Sequence, residues 1–198
     1  DLGASTGIIL SVPGQFPHEL IGGGKYGTLY VVNRDNMGKF NSSADQNIQS
    51  IQNAVGMRVS GAATCSPTDD DCDYSTPAFW NGHLYVAGTN DHAKDYVLSN
   101  GLLSGPMSLS PQTFGYPGAV PTVSANGTKN AIVWAVEPTK SVLHAYDATN
   151  VANELYNSNQ NATRDALGSH VKFAPPTVAN GKVYVGTKDH LVVYGILP

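Results

Sequence analysis

The chain has 198 residues, of which only 13% are charged, and a formal net charge of −4. Its lysines and arginines are scattered rather than gathered into a basic stripe, which excludes a nucleic-acid groove. No apolar run approaches the roughly 18 to 20 residues of a membrane-spanning helix, while 21 glycines and 12 prolines suit a turn-rich, all-β domain.

In chain order, the sequence opens at Asp1 without a methionine, so an upstream part is expected to have been removed. Strand-like runs follow at Ile8-Ile9-Leu10, Glu19-Leu20-Ile21 and Gly27-Thr28-Leu29-Tyr30. Gly22-Gly23-Gly24-Lys25-Tyr26-Gly27 is read as a hairpin turn. A phosphate loop would need Ser or Thr after the lysine and then a helix. A polar stretch, 41–73, is read as an insertion. It holds both cysteines, Cys65 and Cys72, read as a small disulfide of an oxidising compartment, the alternative being two unpaired thiols. It also holds Asp69, Asp70, Asp71 and Asp73, which offer carboxylates to calcium but lack the alternation of a known calcium loop. A solvated acidic loop tip is the plainer reading.

Next comes a phrase that returns. Thr76-Pro77-Ala78-Phe79-Trp80-Asn81-Gly82-His83-Leu84-Tyr85-Val86 is echoed by Pro175-Pro176-Thr177-Val178-Ala179-Asn180-Gly181-Lys182-Val183-Tyr184-Val185. A looser copy runs from Val120 to Gly127 and resumes at Ile132-Val133-Trp134. Tyr85, Trp134 and Tyr184 stand 49 and 50 residues apart. Asn-Gly supplies the positive φ angles of a tight hairpin, and the flanking runs have strand length and composition. A second arm repeats as Leu29 to Asn33, Asp95 to Ser99, Leu143 to Asp147 and Leu191 to Gly195, which aligns Val32, Leu98, Tyr146 and Tyr194. Asn153 to Leu167 is the best helical candidate but is polar and Asn-rich.

A period near 50 residues with three or four short antiparallel strands is the size of a β-propeller blade. The sequence therefore predicts an all-β, single-domain β-propeller of about four blades. They span roughly 1–40, 74–104, 115–150 and 171–198. A β-sandwich is the competing architecture, but it requires no such repeat. Four blades either close a small ring or form half of a larger one. A half ring exposes an edge and an apolar blade face, so the partner expected is a missing propeller half or a second copy of the chain.

The blades resemble those of the bacterial quinoprotein-like propellers built from pyrroloquinoline-quinone-like repeats. Leu143-His144-Ala145-Tyr146-Asp147-Ala148-Thr149-Asn150 and Gly27-Thr28-Leu29-Tyr30-Val31-Val32-Asn33 carry the likeness, and the chain looks like the C-terminal half of such a propeller. The family's docking Trp after Thr-Gly and its vicinal cysteines have no counterpart: Trp80 and Trp134 lie elsewhere, and Cys65 and Cys72 are separated. The resemblance implies fold more than chemistry.

No Gly-x-Ser-x-Gly elbow is present, and the six histidines show no i, i+2 or i, i+4 pair, although histidines of different blades could converge on a channel. Phe79, Trp80, Phe114, Tyr116 and Phe173 fall outside the repeat or beside turns. Of these, Trp80, Phe114 and Tyr116 are the candidates for stacking on a glycan. The sequence-level reading is a non-catalytic module that binds a partner or glycan and is secreted or periplasmic. One alternative is part of a quinone-dependent sugar or alcohol dehydrogenase, with pyrroloquinoline quinone and calcium as cofactors. The other is a carbohydrate-active protein acting on polysaccharide.

Overall fold

The computed structural model describes residues 4–57 and 71–196. Its strands form four separate antiparallel sheets. Blade 1 contains β1 (Ile8–Ser11), β2 (His18–Gly23), β3 (Leu29–Asn33) and β4 (Gln49–Ile51). Blade 2 contains β5 (Ala78–Trp80), β6 (His83–Ala87), β7 (Asp91–Ser99) and β8 (Leu102–Phe114). Blade 3 contains β9 (Thr122–Asn126), β10 (Lys129–Glu137), β11 (Val142–Asp147) and β12 (Asn150–Asn157). Blade 4 has three strands, β13 (Thr177–Ala179), β14 (Lys182–Gly186) and β15 (Leu191–Tyr194). A single short helix, α1 (Ala162–Asp165), follows β12 among the described residues.

The hairpins form where the dipeptides predict. Asn81 and Gly82 have φ of 46° and 87°, and Asn180 and Gly181 of 50° and 70°, so each turn takes two left-handed residues that let the strands keep their twist. The ladders place equivalent residues without ambiguity. The first strand pairs Ile8 with Ile21, Ala78 with Tyr85, Thr122 with Trp134 and Thr177 with Tyr184. One residue before these, the third strand pairs Leu20 with Val32, Leu84 with Tyr96, Val133 with Tyr146 and Val183 with Tyr194.

Alternation along the second and third strands then sends side chains to opposite blade faces. Ile21, Tyr85 and Trp134 look forward to the next blade. Tyr96, Tyr146 and Tyr194 look back. Tyr96 donates to the Ala54 carbonyl at 2.8 Å, Tyr146 to Gln112 Oε1 at 2.8 Å, and Tyr194 to the Asp165 carbonyl at 2.9 Å. Each acceptor belongs to the preceding blade or the segment after it. Replacing Tyr194 with phenylalanine removes one such tie and is expected to cost about 1 kcal/mol. Faster amide exchange in β14 and β15, with β6 unchanged, would show it.

Three apolar cores join the four sheets. Ile21, Leu29 and Val31 meet Leu84, Val86 and Tyr96 between blades 1 and 2. Tyr85, Ala87 and Phe114 meet Val133, Tyr146 and Val151 between blades 2 and 3. Val136 and Leu143 meet Val183 and Val185 between blades 3 and 4. No core among the described residues joins blade 4 to blade 1. Among the described residues the four blades form an open arc, a partial propeller.

The outer limits of the blades differ from the sequence reading. β4 lies inside the segment read as an insertion, β8 runs on to Phe114, and β12 runs to Asn157. These fourth strands are exposed on many positions and carry no apolar alternation, so periodicity does not reveal them. Tyr96, not Leu98, is the equivalent of Tyr146. The hairpins have different lengths, and a slip of two residues keeps the same face, so pattern matching tolerates it. The polar segment Asn153 to Leu167 starts in strand β12, turns at 158–161 and holds only the four-residue α1.

Candidate functional site

An even number of strands returns the chain to the end of the blade where it began. The three linkers from a fourth strand to the next first strand therefore share one end of the arc, with the turns between second and third strands. Each linker contributes one aromatic ring to a common cluster. Tyr74 comes from the linker after blade 1, Tyr116 from that after blade 2, and Phe173 from that after blade 3. The Tyr74 ring centroid lies 5.6 Å from Tyr116, edge-on, and 5.8 Å from Phe173. Lys172 Nζ stands 4.5 Å from the Tyr116 centroid, and Lys25 Nζ, on the β2–β3 turn, 5.9 Å from that of Tyr74. Both distances permit cation–π attraction.

Linker bonding holds the cluster in place. The Thr89 N–H donates to the Cys72 carbonyl, and the Cys72 N–H to the Lys25 carbonyl. Glu137, fully buried, accepts from the Gly115 N–H at 3.1 Å, the Thr139 hydroxyl at 2.6 Å and the Lys140 N–H. Burial pushes its carboxyl up, but these hydrogen bonds outweigh it and hold it below the usual carboxylate range. The His170 N–H donates to Ser141 Oγ at 3.1 Å, and burial lowers its imidazole. Phe173 is the exception to this order. It is 55% exposed and its φ is +65°, a left-handed conformation that costs a bulky residue of order 1 kcal/mol or more.

Of the three aromatics singled out for glycan stacking, only Tyr116 reaches the cluster. Phe114 is fully buried in the core between blades 2 and 3, edge-on to His144, and is unavailable to a sugar. Trp80 is half-buried against the same core, and its Nε1–H donates to the Gly127 carbonyl at 2.8 Å. Tyr74, Phe173, Lys25 and Lys172 complete the platform. The sequence signal that finds Tyr74, Lys172 and Phe173 is their place in the linkers, just ahead of the prolines that open blades 2 and 4, and Lys25 lies on the β2–β3 turn at the same end.

The acidic candidates divide. Asp69, Asp70 and Cys65 lie outside the described residues. Asp73 is fully buried: its Oδ1 accepts from the Ser75 N–H at 2.7 Å, and its Oδ2 lies against Gly23 with no hydrogen-bond partner. Burial raises its carboxyl to about 7, partly opposed by the Ser75 bond. Asp71 is only partly buried, and Cys72 is fully buried. Among the described residues no three His, Cys, Asp or Glu side chains gather to hold a metal. Glu19 is a second fully buried acid, raised by burial, with neither oxygen hydrogen-bonded. Nothing in the strand pattern announces it.

The histidines do not converge on one centre. His18 pairs with Asp35 at 2.9 Å, His83 with Asp95 at 2.9 Å and His144 with Glu154 at 2.6 Å, each within its own blade. His83 stacks on Tyr85 and His144 on Tyr146. Ser108 bonds Asp95 rather than His83. A serine on the carboxylate side is the reverse of the order that activates a nucleophile.

The cleft beside the platform is too small for a quinone. The cleft beside the platform, lined by Tyr74, Gly118, His170 and Phe173, holds about 10 Å³, room for about one water. A fused-ring cofactor requires a slot many times larger.

No protein-family model matches this sequence, and no curated protein matches it either. Solved structures do resemble it. BamB from Moraxella catarrhalis, a β-propeller of pyrroloquinoline-quinone-like repeats, superposes with a TM-score of 0.62 at 14% identity. The match covers 96% of this chain and 46% of BamB, so the chain spans less than half of that protein. The computationally designed Ika4 protein superposes with a TM-score of 0.54 at 14% identity, over 97% of this chain and 92% of Ika4. At this identity the likeness shows the fold alone. The chain is thus a β-propeller module of four blades, a partial propeller.

Proposed function

We propose that the chain is a non-catalytic binding module of the quinoprotein-like propeller type. It presents the Tyr74, Tyr116 and Phe173 platform to a glycan. The platform itself carries this reading: three rings from three separate linkers meet at one end of the arc, and the most exposed is held in a strained conformation. Aromatic faces stack on the apolar faces of sugar rings, burying carbon while the hydroxyls stay wet. Lys172 adds hydrogen-bond donors at the rim. A platform without an enclosed pocket suits retention of a polymer better than turnover of a small substrate.

Affinity electrophoresis of the native chain through gels containing neutral and acidic polysaccharides tests it. At least one polymer is expected to retard the protein, and Phe173→Ala is expected to weaken that retardation about tenfold with an unchanged circular dichroism spectrum. Unretarded migration in every polymer would overturn the reading, as would retardation that Phe173→Ala and Tyr116→Ala leave untouched.

A further inference from the structure

Every blade face that meets another is built to one rule, and two faces obey the rule without a neighbour. On the forward side, Tyr85 enters the core with blade 3 and donates to the Ala148 carbonyl at 2.6 Å, while Trp134 packs in the core with blade 4. Tyr184 occupies the same ladder position on blade 4, the last blade among the described residues. Leu191 and Val193 flank it on that face, 65% and 46% exposed. On the backward side, Leu84 with Tyr96, Val133 with Tyr146 and Val183 with Tyr194 each face the preceding blade. The corresponding pair on blade 1 is Leu20 with Val32, which lines an open groove of about 590 Å³ together with Tyr30. Phe40 overhangs that groove and is 93% exposed.

The two uncovered faces are therefore different and complementary in kind: one is a forward face and the other a backward face. We propose that a second copy of this chain covers both. The Tyr184 face of each copy packs head-to-tail on the partner's blade 1, and two arcs close an eight-bladed ring with two-fold symmetry.

Three observations select this occupant. The arc follows the BamB fold over nearly its whole length while spanning 46% of it, so the missing remainder of the ring is about one more arc of equal size. The Ika4 chain superposes on this arc over 92% of its own length, so a protein of about this extent carries the same fold. A head-to-tail contact that closes after two copies satisfies both faces at once and leaves no blade face open. The repeat also assigns a contact. Arg34 follows the end of β3 as Ala148 follows β11: the Arg34 N–H bonds the His18 carbonyl as the Ala148 N–H bonds that of Ala131. The Arg34 carbonyl is thus the counterpart of the Ala148 carbonyl, and the hydroxyl of Tyr184 in one copy is placed to donate to it in the other.

Sedimentation equilibrium of the full chain at micromolar concentration tests the inference. The expected mass is twice the 20.8 kDa of one chain. Tyr184→Asp and Leu20→Asp each place a carboxylate on one uncovered face, so each is expected to weaken self-association at least tenfold. Both side chains are only half-buried in the single arc, so both variants are expected to keep the amide protection of β6 and β10. Mixing the two variants restores one intact junction per ring, and a mixed dimer is expected at concentrations where neither variant dimerises alone. A monomeric wild-type chain would overturn the proposal. So would a dimer broken by Leu20→Asp but indifferent to Tyr184→Asp, which would mean that blade 1 pairs with blade 1.

Discussion

Replacing Tyr85 with alanine is expected to remove about 3 to 5 kcal/mol of stability, the usual cost of emptying a large aromatic site in a packed core. Tyr85 is fully buried at the centre of the arc, where it meets Ala131, Val133 and Tyr146 across the junction of blades 2 and 3. Its hydroxyl also satisfies the Ala148 carbonyl. Tyr85→Phe keeps the ring and loses only that bond, so it is expected to cost about 1 kcal/mol. Urea denaturation followed by circular dichroism separates the two. Equal losses would mean that the hydroxyl matters and the packing does not. A loss below about 1 kcal/mol for Tyr85→Ala would mean that blades 2 and 3 are not joined through this core.

The second large effect is a dependence of stability on pH, set by Asp73. Its carboxyl titrates near 3.8 when unfolded and at about 7 when folded, because burial disfavours the charged form. The folded pKa is raised, so the folded state binds the proton more tightly. The contribution is complete below about pH 4, is lost as pH rises from 4 to 7, and is gone above 7. A gap of roughly three pH units corresponds to about 4 kcal/mol. Asp73→Asn preserves an acceptor for the Ser75 N–H and removes the charge. The variant is expected to match the wild type near pH 4 and to exceed it by a few kcal/mol at pH 8, measured as denaturation midpoints. A variant weaker than the wild type at pH 8 would show instead that the ionised carboxylate is compensated, as a bound cation would compensate it.

Much of the architecture is legible in the residues themselves. The Asn-Gly pairs at Asn81 and Asn180 dictate hairpins through backbone φ alone, and the aromatic and β-branched runs around Tyr85 and Tyr184 become second strands. What escapes is whatever depends on partners distant in sequence. The fourth strands β4, β8 and β12 are defined by their neighbours rather than by their own apolar content. Phe114 looks like a surface aromatic beside a turn, yet it ends the 13-residue strand β8 inside the core. Glu19 lies in a strand-like run and is fully buried, its carboxylate beside Gly101 of blade 2. The platform was one-third visible, in Tyr116. Tyr74 and Phe173 reach it only because all the linkers return to one end of the arc, a property of strand number rather than of any local motif.

The openness of the arc is the claim on which the rest stands, and a pair of distances within one chain tests it. Asp35 and Ser99 lie three residues past the equivalent Val32 and Tyr96, Ile196 lies two past Tyr194, and all three are exposed. Pulsed dipolar spectroscopy on doubly spin-labelled chains, diluted with unlabelled protein, compares the Asp35–Ile196 separation with the Asp35–Ser99 separation. An open arc places blade 4 far beyond a neighbouring blade, so the first distance is expected to exceed the second clearly. Equal distances would mean that blade 4 sits beside blade 1 in a closed four-bladed ring, and the account would fail.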